Sequence, residues 1–202
     1  MQQFISAEAL IKSQLLDIDT TSLEYAHINR ILMGLFEQTS RNLRALECAK
    51  AEFDIFVVHS SLDVNCLANA YSDMGYSFCS ASKPQEAPGY LDTAVDIGLS
   101  YSEPECYRSL DIDRFLRNRG RARAQLGDFE GALDDFTKAE CYQAKKKIHG
   151  DYSRYDGETK HERAKVAAIR GSFEEATLLN HGAPKYMQRG KPTHSSVGAS
   201  WY

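Results

Sequence analysis

Five arginines crowd one short stretch of this 202-residue chain: Arg114, Arg117, Arg119, Arg121 and Arg123. On a helix they fall within about three turns of roughly 3.6 residues each. Spacings of three and four put Arg114, Arg117 and Arg121 on one face, with Asn118 beside them. Arg119 and Arg123 make a second stripe. A planar guanidinium can bond both oxygens of a carboxylate, so the first face suits an acidic peptide or a C-terminal carboxylate. A plainer account stands beside it. Asp128, Glu130, Asp134, Asp135 and Glu140 follow on the next segment and are placed to neutralise the arginines locally.

Other chemistry has little to stand on. The sequence holds no Gly-x-x-x-x-Gly-Lys-Ser/Thr phosphate loop, no Gly-x-Gly-x-x-Gly turn and no Gly-x-Ser-x-Gly elbow. His161-Glu162 begins like a zinc helix, but Lys165 stands where the second histidine would be. The other histidines are scattered. Asp111 and Asp113 suit a helix N-terminus better than a cation site, because carboxylates there favour the helix dipole. These readings point to a non-enzyme with no metal and no cofactor.

The arginine face needs a helix, and that helix needs a partner. Gly127-Asp128 reads as the end of one helix and the start of another, with Asp128 as N-cap. Ala132, Phe136 and Ala139 then share one stripe, and small residues at Gly120 and Ala132 let two antiparallel helices approach closely. The stretch from Asn118 to Ala139 strongly resembles a tetratricopeptide repeat, a helix-turn-helix unit of about 34 residues. Upstream, Gly75, Ala87, Leu91 and Ala94 stand in the same order, with Ser82-Lys83-Pro84-Gln85-Glu86 as the turn. Pro88-Gly89 suggests that the second helix there starts late or irregularly. Downstream, Gly171-Ser172-Phe173-Glu174-Glu175-Ala176 repeats the turn, with Ala164 and Ala183 at the small positions. Residues 23–58 match only as a degenerate copy, with Ala45 at the close-packing position.

The expected architecture is one all-α domain over 1–202, a solenoid of antiparallel helix pairs with the right-handed superhelix of tetratricopeptide repeats. Its repeats cover about 23–58, 68–101, 113–146 and 157–190, and a further helix begins over 193–202. The arrays it resembles occur in fungal and bacterial regulatory proteins. The resemblance implies a non-catalytic scaffold that binds a partner protein or acidic peptide in a concave groove lined by Arg114, Arg117, Asn118 and Arg121. The alternative is a regulatory sensor for a small anionic ligand or peptide. A family clamp for chaperone tails would need Asn where this chain has Asp73, whose charge would repel such a ligand.

The net charge of −4 argues against nonspecific nucleic-acid binding, and no apolar run is long enough to span a membrane. The start of the chain lacks a secretory pattern, and Cys48, Cys66, Cys79, Cys106 and Cys141 are odd in number and widely spaced. Both suggest reduced thiols in the cytoplasm, with the nucleus as the alternative. At the C-terminal edge, Val197 and Trp201 would share a helical face. That edge is either an unfinished repeat that pairs with a partner or a second copy of the chain, or a piece of a longer array; the plainer alternative is that Trp201 and Tyr202 fold back on Ala183 and Tyr186 or are disordered.

Overall fold

The computed structural model describes residues 8–11, 13, 18–59, 63–101, 111–148 and 156–182. The expectations for Trp201, Tyr202 and the helix over 193–202 lie outside the described residues. Among those described there is no strand; residues 8–11 and 13 are helical, and after them come α1 Leu23–Gln38, α2 Asn42–Val58, α3 Val64–Ser80, α4 Pro88–Ser100, α5 Ile112–Gln125, α6 Phe129–Ile148, α7 Asp156–Ile169 and α8 Phe173–Gly182. Each odd-numbered helix packs against the helix that follows it, and α2, α4 and α6 each also pack on the next pair. The fold is a helical-repeat solenoid.

The helices begin where side-chain oxygens can take up free N–H groups. Ser22 Oγ accepts from Tyr25 N at 3.1 Å to start α1, and Asp63 accepts from Asn65 N and Cys66 N to start α3. Asp128 Oδ1 accepts from Gly131 N at 2.9 Å, three residues into α6. A Cβ at Gly131 would lie 2.2 Å from Asp128 Oδ2, so the glycine leaves room for its own cap. Pro84 and Pro88 both find places that need no N–H: Pro84 opens a short 3-10 turn, Pro84–Glu86, and Pro88 is the first residue of α4.

One turn recurs in all four pairs. Ser40, Ser82, Gly127 and Gly171 adopt left-handed backbone, with φ of 56°, 61°, 86° and 82°. The next residue then donates its N–H back five positions: Arg41 to Phe36, Lys83 to Phe78, Asp128 to Arg123 and Ser172 to Ala167, at 2.8–2.9 Å. This is the Schellman closure of a helix C-terminus. Serine holds the left-handed conformation at a cost of roughly 1–2 kcal/mol, of which glycine's greater chain entropy would return part. Ser82→Gly is therefore expected to stabilise the chain by up to about 1 kcal/mol. Urea unfolding should show a higher midpoint at unchanged slope; a lower midpoint would show that the serine is not strained.

Close approach within pairs fixes their crossing. A Cβ on Gly75 would lie 2.4 Å from Leu91 Cγ, and one on Gly120 would lie 2.7 Å from Phe136 Cε1. Leu91, Ala132 and Phe136 are wholly buried. The core runs along the chain as linked clusters. Leu32, Phe36, Ala45, Met74, Phe78 and Leu91 join the first two pairs. Ala94, Val95, Ile112, Phe115 and Leu116 join the second to the third. Ala132, Phe136 and Val166 join the third to the fourth. Burying each large side chain contributes roughly 1.5–3 kcal/mol.

Candidate functional site

The first helix of each pair carries the polar array. Phe115, Leu116 and Ala122 of α5 turn into the seams, which leaves Arg114, Arg117, Asn118 and Arg121 to meet the neighbouring first helices, α3 and α7. Arg114 donates to Asp73 Oδ1 at 2.9 Å and to Asn69 Oδ1, both on α3. Asn118 Nδ2 donates to Ser72 Oγ at 3.0 Å. Arg117 meets Glu158 of α7. The Arg121 guanidinium sits 4.8 Å over the Tyr76 ring, and its Nε is 3.6 Å from Glu162 Oε1. Burial works against the charge on Arg121, but Glu162 and the Tyr76 hydroxyl hold its pKa above the ordinary arginine value.

The array continues to the first pair. Arg30 of α1 contacts Glu52 of α2 at 2.6 Å and lies 3.7 Å from Asp73 Oδ2. A ladder Glu52–Arg30–Asp73–Arg114 thus crosses α2, α1, α3 and α5. Asp73, read from sequence as a charge that would repel a carboxylate, is buried and bonded to Arg114 and serves as a counter-ion. Nearby Glu37 has one oxygen that is buried and accepts no hydrogen bond.

Two of these carboxyls hold protons unusually well. Burial, then the Asp73 charge, pushes Glu37 up to about 7, against the opposing pull of Arg121 and Arg114. Burial and Asp73 likewise push Glu52 up to about 7, with Arg30 opposing. A carboxyl raised on folding binds more protons in the native chain than in the unfolded one between its ordinary value and about 7. Stability therefore falls as pH rises through that window and stays lowered above it. Glu37→Gln keeps the neutral shape and is expected to stabilise the chain at pH about 8 by roughly 1–3 kcal/mol, with a gain that shrinks towards pH about 5. Denaturation at both pH values checks this; a gain that does not depend on pH would mean that Glu37 is not penalised for ionising.

Arg119 and Arg123 turn the other way, between α5 and α6. Arg119 grips Asp135 with two bonds, Nε to Oδ2 at 3.0 Å and Nη2 to Oδ1 at 2.7 Å, and reaches Asp92 at 3.2 Å. Arg123 Nη1 donates to the same Asp135 Oδ2 at 2.9 Å. Of the acids that follow the arginines in sequence, Asp135 and Asp128 pair with this second stripe, whereas Glu130 takes Arg170, Asp134 takes Lys138 and Glu140 takes Arg163. Sequence reading missed Glu37, Glu52, Asn69, Tyr76, Glu158 and Glu162. Their signal lay in register: Asn69 and Tyr76 stand six before and one after Gly75, as Arg114 and Arg121 stand to Gly120.

No described helix is long and apolar enough to cross a membrane. Among the described residues no group of three or more His, Cys, Asp or Glu side chains converges as a metal site.

With this geometry in hand, comparison with solved structures defines the class of fold as tetratricopeptide-type helical repeats. The chain is similar to BtubC from P. vanneervenii, with TM-score 0.67 and 17% identity over 93% of this chain and 74% of that one. It is similar to a Rap protein complexed with competence and sporulation factor, with TM-score 0.72 and 15% identity over 93% of this chain. It also matches the TPR-like repeats of a putative kinesin light chain from Podosopora anserina, with TM-score 0.61 and 15% identity over 90% of this chain and 84% of that one. The chain spans about half the length of the Rap protein. No family profile matches the sequence, and neither does any curated protein.

Proposed function

We propose that the chain is a non-catalytic protein-interaction scaffold that takes an acidic peptide or a segment of a partner protein on its layer of first helices. Arg114, Arg117, Asn118 and Arg121 are the contact residues. The observation that carries this reading is the continuous polar array from α1 to α7, in which Arg30, Asp73, Arg114, Arg121 and Glu162 face one another across four first helices. Apolar residues fill the seams while this face keeps groups able to bond a peptide. Solved structures of the same fold support it: one Rap protein was determined with competence and sporulation factor, and another with the Phr* peptide.

Affinity capture with identified partners, at low and at high salt, tests the reading. An acidic partner should be lost at high salt, because screening weakens exposed charge pairs. Arg121→Glu should weaken capture about tenfold, since the new carboxylate would face Glu37 and Glu162. Arg117 is a poorer place for charge reversal: it is buried, so the change would also damage the fold. Capture that is indifferent to both salt and Arg121→Glu would remove the groove. Saturable binding of a small anion with no captured protein would favour a sensor.

A further inference from the structure

Arg117 and Arg121 are held differently from the other three arginines of α5, and the difference lies in their counter-ions. Asp73, which takes Arg114, and Asp135, which takes Arg119 and Arg123, are buried between helices. Among the described residues the carboxylates that meet Arg117 and Arg121 come from α7 instead. The Glu158 side chain is 60% exposed although the Arg117 side chain it meets is only 6% exposed, so the carboxylate covers a sunken guanidinium from the solvent side. Glu162 stands off from Arg121 Nε at 3.6 Å, too far for a hydrogen bond. Lys165 reaches that same Glu162 oxygen at 3.3 Å, so the carboxylate keeps a cation when Arg121 turns elsewhere.

The seat of α7 does not depend on these contacts. Val166 packs with Ala132 and Phe136, Thr159 accepts from Gln143 Nε2 at 2.9 Å, and Arg163 Nη1 donates to Glu140 at 3.0 Å. The α7 carboxylates can therefore leave the arginines while the helix stays in place.

Resting on the scaffold reading above, we propose that Glu158 and Glu162 occupy the place of a ligand's carboxylates, and that an acidic peptide binds by displacing them. The two stand four residues apart on α7, with Cβ atoms roughly 6 Å from each other. A peptide presents the same pair with acidic side chains four apart on a helix, or two apart on an extended segment. Peptides with a single acidic residue replace only one of the two contacts. Glu158 and Glu162 thus set both the threshold of binding and the preference for paired acids.

The test is fluorescence anisotropy of a labelled hexaglutamate peptide with the full chain, with a hexaglutamine peptide as control. The Glu158→Gln, Glu162→Gln chain is expected to bind hexaglutamate about fivefold to tenfold more tightly than the parent, with the same helical circular dichroism. Arg121→Gln should remove most of that binding in either background. Equal or weaker binding by the double variant, with Arg121→Gln still damaging, would overturn displacement and leave the groove standing. Failure of hexaglutamate to bind either chain would overturn the acidic-ligand groove and displacement together.

Discussion

Ala132→Trp is expected to destabilise the chain by about 1–3 kcal/mol or more, one of the largest effects any single substitution here should produce. Ala132 is wholly buried, in the cluster formed by Phe136 and Val166. That cluster lies where α6 meets both α5 and α7, so an indole there must push against two seams at once. Protein interiors are packed about as densely as organic crystals, and no neighbour is free to move aside. Gly120→Ala should show the same crowding on a smaller scale. Alanine favours a helix over glycine by roughly 0.8–1 kcal/mol, yet its Cβ would meet Phe136 Cε1 at 2.7 Å. A net loss of stability would show that the close approach outweighs helix propensity. Urea unfolding followed by circular dichroism measures both; an unchanged midpoint for Ala132→Trp would contradict this packing.

The helix-pair architecture was legible because its determinants are local. Gly127 and Gly171 mark the turns, Asp128 caps α6 as its position suggests, and the Gly120–Phe136 spacing repeats as Gly75–Leu91. The first pair was harder to read for an equally local reason. Ser40 adopts the left-handed turn that glycine usually marks, and the sequence does not show that a serine is under this constraint.

The polar array was legible only in outline. Helical spacing grouped Arg114, Arg117 and Arg121, but it could not name their partners. Those partners come from other repeats: Asp73 and Asn69 lie about forty residues before Arg114, and Glu158 a similar distance after Arg117. Which first helices meet depends on how one pair stacks on the next, and that rests on packing across several clusters. The nearby acids Glu130, Asp134 and Glu140 look like equal candidates in one dimension, yet each finds a different cation.

Two neighbouring aspartates on α6 turn that difference into a measurement. Asp135→Ala is expected to cost about 2–4 kcal/mol, whereas Asp134→Ala should change stability by less than about 0.5 kcal/mol. Asp135 is wholly buried and receives three charge-assisted hydrogen bonds, two from Arg119 and one from Arg123. Removing it leaves two guanidinium groups in a seam without their shared counter-ion. The loss stays below that of a fully buried pair, typically about 3–5 kcal/mol, because Arg119 retains Asp92 and Arg123 retains the Gly131 carbonyl. Among the described residues Asp134 pairs with Lys138, four residues on, and both side chains are more than half exposed, so solvent screens the contact. Asp135→Asn separates charge from shape: an amide oxygen in the Oδ2 position can still accept from Arg119 Nε and Arg123 Nη1, but the NH2 group faces Arg119 Nη2 and the charge is gone, so most of the loss should remain. Urea midpoints for the three variants decide the matter, and equal midpoints for Asp134→Ala and Asp135→Ala would show that the buried aspartate does not hold α5 to α6.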